Sequence, residues 1–305
     1  MRLAAVAWLV AAAAAGCNTT RFMANSMVGM LEASKLAFNR ERSVEQAREA
    51  LPAAASTIDG LIVASPHNPE LLLAGAETHA TGAFGLIEPD DPERARIMYD
   101  KARRYAARAL AEQDAELAET VVRGRLEEVQ RALAEIEPGD ERIPALFWTA
   151  FAWGSYINLS LDRPDVVAAL PAVVAIMERL AEVAPDYFHA GPHLFLAVYY
   201  SSRGPAVGGE LERARRHYHE VFTRTRGRLL MPYVLYAQLY CVALGGSEPE
   251  RARAQFTKAL RWVLDAPDDI HPDQILANAI AKRRAAELLP ELDDLIFPPL
   301  PPEDG

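Results

Sequence analysis

Two cysteines in 305 residues, Cys17 and Cys241, make neither a disulfide framework nor a four-ligand zinc site. No uncharged apolar run reaches the roughly 18–20 residues that a membrane-spanning helix needs. No basic stretch offsets the net charge of −10, so a nucleic-acid backbone is not an expected partner. Valine, isoleucine and threonine rarely cluster, which argues against strands. The sequence has no G-x-S-x-G elbow, no phosphate-cradling glycine loop and no dinucleotide fingerprint. What is present is a chain half apolar and 24% charged, the composition of a globular protein with one large domain or two medium ones.

The N-terminus is set apart from the rest. Met1-Arg2 leads into the apolar run Leu3–Gly16, too short to span a bilayer but suited to the core of an export signal. Small residues Ala14-Ala15-Gly16 precede Cys17, an order that resembles a bacterial lipobox, although Ala14 stands where leucine is usual. Residues 1–16 are therefore expected to be a lipoprotein signal peptide and Cys17 the lipid-attachment residue; a plain secretory signal is the alternative. Loss of Arg2 with the signal would take the charge from −10 to −11. Asn18 rather than aspartate follows the cysteine, so the expected location is the periplasm-facing leaflet of the outer membrane. Residues 17–42 read as a lipidated tether with an N-terminal helix, carrying Met23, Met27, Met30 and Leu31 at helical spacing. Cys241, in the run Tyr236–Leu244, reads as a buried free thiol.

Residues 43–290 are rich in Ala, Leu, Glu and Arg, which predicts about ten helices and an all-α fold. Prolines mark their starts at Asn68-Pro69, Asp91-Pro92, Arg163-Pro164, Gly191-Pro192 and Glu248-Pro249, because the first helical N–H has no partner to lose. Ser247 with Glu250 predicts a capping box. A motif recurs as Glu93–Tyr99, Glu212–Tyr218 and Glu250–Phe256. Each copy places alanine four residues before an aromatic ring, hence on one face, and Ala102, Val221 and Ala259 extend that face. This matches the A-x3-F element of tetratricopeptide repeats (TPR), with preceding helices at Leu71–Leu86, His193–Ser202 and Tyr233–Leu244 as partners. Phe147–Leu161 with Pro164–Ala184 reads as a degenerate fourth pair. The expected architecture is a TPR-like helical-hairpin solenoid of about four degenerate repeats with flanking helices; a bundle with chance matches is the alternative. Residues 291–305 read as a Pro-rich C-terminal tail.

Chemistry-bearing groups are sparse. His189 and His193 straddle Gly191-Pro192, and His217 and His219 point to different helix faces, so neither pair predicts a metal site. Asp90-Asp91, Asp268-Asp269 and Asp293-Asp294 fall at helix ends, where carboxylates cap free N–H groups. Gly208-Gly209 reads as a tight turn. No catalytic residue, cofactor or metal is expected. Five aromatic rings in Phe147–Tyr156 cannot share one helix face; core, hydrophobic channel and subunit interface are the three uses open to them.

Taken together, Ile58-Asp59-Gly60-Leu61, Asn68–Ala74, Asp91–Ala95, Ala152-Trp153-Gly154, Gly208-Gly209 with Glu212–Arg215, Leu276–Ala281, Leu288-Leu289 and Asp293–Phe297 resemble the T component of TRAP (tripartite ATP-independent periplasmic) transporters. The resemblance covers residues 51–297. It implies a TPR-containing lipoprotein that forms homotrimers pierced by channels and docks the transporter's solute-binding protein, with a hydrophobic or organic-acid solute as its cargo. It also singles out Trp153, Gly154, Gly208, Gly209 and Asn278: Trp153 and Asn278 as shaping a channel, the glycines as allowing close helix approach.

Overall fold

The computed structural model describes residues 19–123 and 125–298. The expected signal peptide, Cys17 and residues 299–305 of the tail lie outside the described residues. The protein is 78% helical, with no strand among the described residues, as its composition predicts.

Two compact units divide the chain. The first comprises the described part of Met1–Phe38 with Glu45–Ile136 and Asp140–Val173. Residues 19–26 are helical and continue past a turn at Met27 into α1 (Val28–Asn39). There follow α2 (Val44–Ala64), α3 (Pro69–Gly82), α4 (Pro92–Gln113), α5 (Ala115–Arg123), α6 (Leu126–Leu133) and α7 (Ile143–Asn158). The proline starts hold here. Asn68 and Asp91 cap α3 and α4 with Oδ1, which accept from the Leu71 and Arg94 N–H groups, both at 3.0 Å. Asp114 closes α4 and caps α5, accepting from Leu117 N–H at 2.9 Å. Beyond that cap the chain runs on in the short helices α5 and α6. α4 packs against both α3 and α7.

The second unit contains Asn39–Val44, Glu137–Gly139 and the described part of Val174–Gly305. Its helices are α8 (Leu170–Val183, which crosses the boundary), α9 (Tyr187–Ser201), α10 (Leu211–Arg224), α11 (Met231–Leu235), α12 (Pro249–Asp265) and α13 (Ile275–Leu288). α11 runs on through a π-helical turn, Tyr236–Cys241, into Val242–Gly245. Consecutive helices pair, α9 on α10 and the π turn after α11 on α12. The expected capping box at Ser247 is absent. Glu248 is the N-cap residue, and Ser247 Oγ donates back to Leu244 O at 3.3 Å, so its hydroxyl is taken by the preceding helix. The chain remains packed to Ile296, which is 2% exposed, after a helical turn at Leu292–Leu295. The tail-like stretch thus begins later than residue 291.

All three copies of the small-aromatic face are buried. Ala95, Tyr99 and Ala102 of α4, Ala214, Tyr218 and Val221 of α10, and Ala252, Phe256 and Ala259 of α12 turn inward. Each fully buried ring contributes roughly 2–3 kcal/mol of transfer free energy, and the alanines let the partner helix approach it closely.

Candidate functional site

The aromatic segment of α7 divides its rings between two surroundings. Phe147 and Trp148 meet edge to face with centroids 5.0 Å apart, and Phe151 stacks on Phe147 at 5.9 Å. Phe84, from the π-helical turn Ala83–Ile87, meets Phe151 at 6.2 Å. Phe147 and Trp148 are buried, while Phe151 and Phe84 are half-buried. Trp153 and Tyr156 instead face the cations of α4. The Arg103 guanidinium lies 5.5 Å over the Trp153 ring and 6.0 Å from that of Tyr156, and Arg96 is 5.8 Å over Tyr156. Trp153 is 8% exposed and Gly154 is buried beside it.

Asn278 is in the other unit, on α13, and is 1% exposed. Its Oδ1 accepts from Leu230 N–H and its Nδ2 donates to Arg228 O, both at 2.9 Å. One side-chain amide thereby pins the loop that turns α10 into α11. Gly208 and Gly209 form the tight turn before α10. Gly208 has φ of 92°, and a Cβ on Gly209 would sit 1.7 Å from Arg203 O. The close approach they permit is therefore of the turn to its own backbone.

Distant histidines meet here in pairs that their sequence spacing hides. His193 of α9 and His217 of α10 bring their Nδ1 atoms to 3.0 Å, so a single N–H bridges them. His217 stacks on Tyr200 at 5.8 Å, while Tyr200 donates to Glu178 at 2.7 Å and carries Arg213 over its ring at 4.1 Å. Burial, then the neighbouring His193, Arg213 and Arg216, push His217 down to about 4, and burial with Arg224 lowers His193. His189 contacts His271, with ring centroids 5.6 Å apart. It belongs to a run of three left-handed residues, Phe188, His189 and Ala190 (φ 44°, 58° and 61°), just before Gly191-Pro192. Left-handed backbone costs non-glycine residues roughly 1–2 kcal/mol each. The helix proper begins only after this turn, where the proline marks it.

In the first unit Asp59 joins α2 to α3 and α4. It accepts from Tyr105 at 2.8 Å, bonds His79 Nε2 at 3.0 Å and pairs with Lys101. Burial alone would raise the Asp59 carboxyl, but these hydrogen bonds outweigh it and hold it low. His79 itself is buried, 4% exposed. The Cys241 thiol is pushed up to about 12 by burial, which leaves almost no thiolate at neutral pH. Asp91 caps a helix, while Asp268 pairs with Lys282 and Asp293 with Arg253. Among the described residues no three His, Cys, Asp or Glu side chains gather as metal ligands. Along α12 runs an open surface trough of about 720 Å³, lined by Arg253, Lys258, Arg261, Trp262 and Leu292 among others.

A protein family is matched over residues 40–296, and its description is TRAP transporter T-component. The chain belongs to that family. A T-component chain of this kind is associated with a TRAP transporter. The protein is also similar to one from Treponema pallidum (strain Nichols) described as uncharacterized, 20% identical over 274 residues, covering 85% of this chain and 82% of that one. The residues singled out from the resemblance fall in both units: Trp153 and Gly154 in the first, Gly208, Gly209 and Asn278 in the second. Sequence spacing missed the His193–His217 pair, since it depends on which helices meet.

Proposed function

We propose that this T component is a non-catalytic, periplasm-facing lipoprotein, lipidated at Cys17, that docks the solute-binding protein of a TRAP transporter. In this reading it binds or relays a small hydrophobic or organic-acid solute and works as a homotrimer at the outer membrane. The observation that carries the reading is the family match across residues 40–296. The apolar run ending at Ala14-Ala15-Gly16-Cys17 supports the anchor. Trp153 and Tyr156, packed against Arg103 and Arg96, are the motif-bearing rings of the first unit in this reading.

The second reading is a TPR scaffold for envelope assembly with no small-molecule ligand. The three buried Ala–aromatic faces favour it, since tetratricopeptide hairpins pack by that device and present grooves to protein segments. Native mass spectrometry of the chain from Asn18 onward, alone and with the host's TRAP solute-binding proteins, separates the two. Trimers that take up one such protein per subunit support transport. A monomer indifferent to all of them supports the scaffold.

A further inference from the structure

The N-terminal helical segment leaves one face uncovered. Phe22 is 73% exposed, Met23 60%, Met30 62% and Leu36 38%. With Ser26 before the turn at Met27, and Gly29, Ala33 and Ala37 after it, positions 22 and 26 and then 29, 30, 33, 36 and 37 fall at the i, i+4, i+7, i+8 spacing of a helix face, and Met23 borders it. That face carries no charge, and all of these residues are exposed. A Cβ built on Gly29 would meet nothing within 4 Å. The polar groups turn the other way, onto the first unit. Asn25 Oδ1 accepts from Ser65 Oγ at 2.8 Å and Asn68 Nδ2 at 2.9 Å. Lys35 pairs with Glu77 at 2.9 Å and with Glu32 at 3.6 Å, and Ala24 on that side is 2% exposed. The usual amphipathic order is reversed here: the helix is held to the protein largely by polar contacts, and its apolar side faces solvent.

We infer that this face is an interfacial membrane contact, seating Phe22, Met23, Met30 and Leu36 at the acyl–headgroup boundary of a phospholipid surface. The inference rests on the proposed lipidation of Cys17. Two peptide links and about one helical turn separate Cys17 from Phe22, so an acylated Cys17 holds Phe22 within about 12 Å of the bilayer surface. Confinement on that scale makes burial of the face an intramolecular event, for which even modest apolar area suffices. Exposed Arg21 beside Phe22 suits the phosphate level.

The test uses the full-length lipoprotein reconstituted in phosphatidylethanolamine–phosphatidylglycerol vesicles. Met30→Cys is labelled with bimane, and Val63→Cys, 80% exposed elsewhere in the same unit, serves as the reference. Cys241 is fully buried and does not compete for the label. Nitroxide-bearing lipids are expected to quench position 30 severalfold more than position 63, and Phe22→Asp with Leu36→Asp is expected to abolish the difference. Equal, weak quenching at both positions would overturn the inference. Shielding of position 30 that rises with protein concentration in a vesicle-free Cys17→Ser chain would also overturn it, assigning the face to a second copy. Intact mass of the purified protein reports acylation independently. An acylated chain with no quenching difference sinks the membrane face alone, and an unacylated chain sinks the anchor on which it rests.

Discussion

His217 gives the molecule a pH dependence whose sign follows from its burial. Its pKa falls from an ordinary 6.5 to about 4, so the folded state prefers the neutral ring. As pH drops, the unfolded chain takes up the proton first. Stability is therefore complete above about 6.5 and is lost progressively toward 4. Allowing for the ring's residual solvent access, the loss is on the order of 1–2 kcal/mol. Urea melts at pH 7 and pH 5 should record it, and His217→Phe, which retains the stack on Tyr200, should flatten the difference. An unchanged pH slope in that variant would put the titration elsewhere. Asn278 makes a sharper case. Truncation to alanine strands the Leu230 N–H and Arg228 carbonyl, at a cost of about 2–4 kcal/mol. Asn278→Asp keeps only the acceptor half of the pair and should also lose stability. If both variants melt like the parent, the side chain's role is not to hold the loop. The sequence singled out Asn278 but could not name its partners, because backbone groups 48 and 50 residues away carry no residue-type signal. The histidines were legible only as neighbours in the chain; that His193 meets His217 depends on α9 packing against α10.

Among the elements, helix starts at proline and the inward Ala–aromatic faces were readable because each has a local cause: a missing N–H in one case, a four-residue spacing in the other. The π-helical turns Ala83–Ile87 and Tyr236–Cys241, and the left-handed run Phe188–Ala190, had no such cause in their residue types. The Gly208-Gly209 turn was readable as a turn, yet its tightness appears only where Gly209 meets Arg203 O. Gly209→Ala should destabilise by about 3 kcal/mol or more, since the clash is with backbone that cannot rotate away. Gly246→Ala is the matched control. Its new methyl would meet Ala243 O at an ordinary 3.7 Å, and its φ of −65° suits alanine. Equal melting temperatures for the two variants would show that the turn opens without cost. On the buried faces, Ala252→Leu should cost roughly 1–3 kcal/mol by forcing α12 away from the π turn that packs on it.

At the scale of the molecule, family and helical class were both legible, since the order of short blocks along residues 51–297 carries more information than any one block. The division into two units was not, because no composition shift or linker accompanies a boundary that falls inside α8. Charge is the whole-molecule property that bears most directly on partnership. A net charge of −10 surrounds the protein with a negative field, screened over about 10 Å at 0.1 M salt. Fields of this kind act mainly on the rate of encounter. If the TRAP solute-binding protein is the partner, adding carboxylates to its contact face should slow association, while its dissociation rate changes little. Raising the salt should narrow the gap between the acidified and parent proteins, because screening removes the added repulsion and leaves the contacts in place. Stopped-flow association at 20 mM and 300 mM salt reads both effects. Equal association rates at low salt would mean that docking is governed by local contacts and not by the net charge.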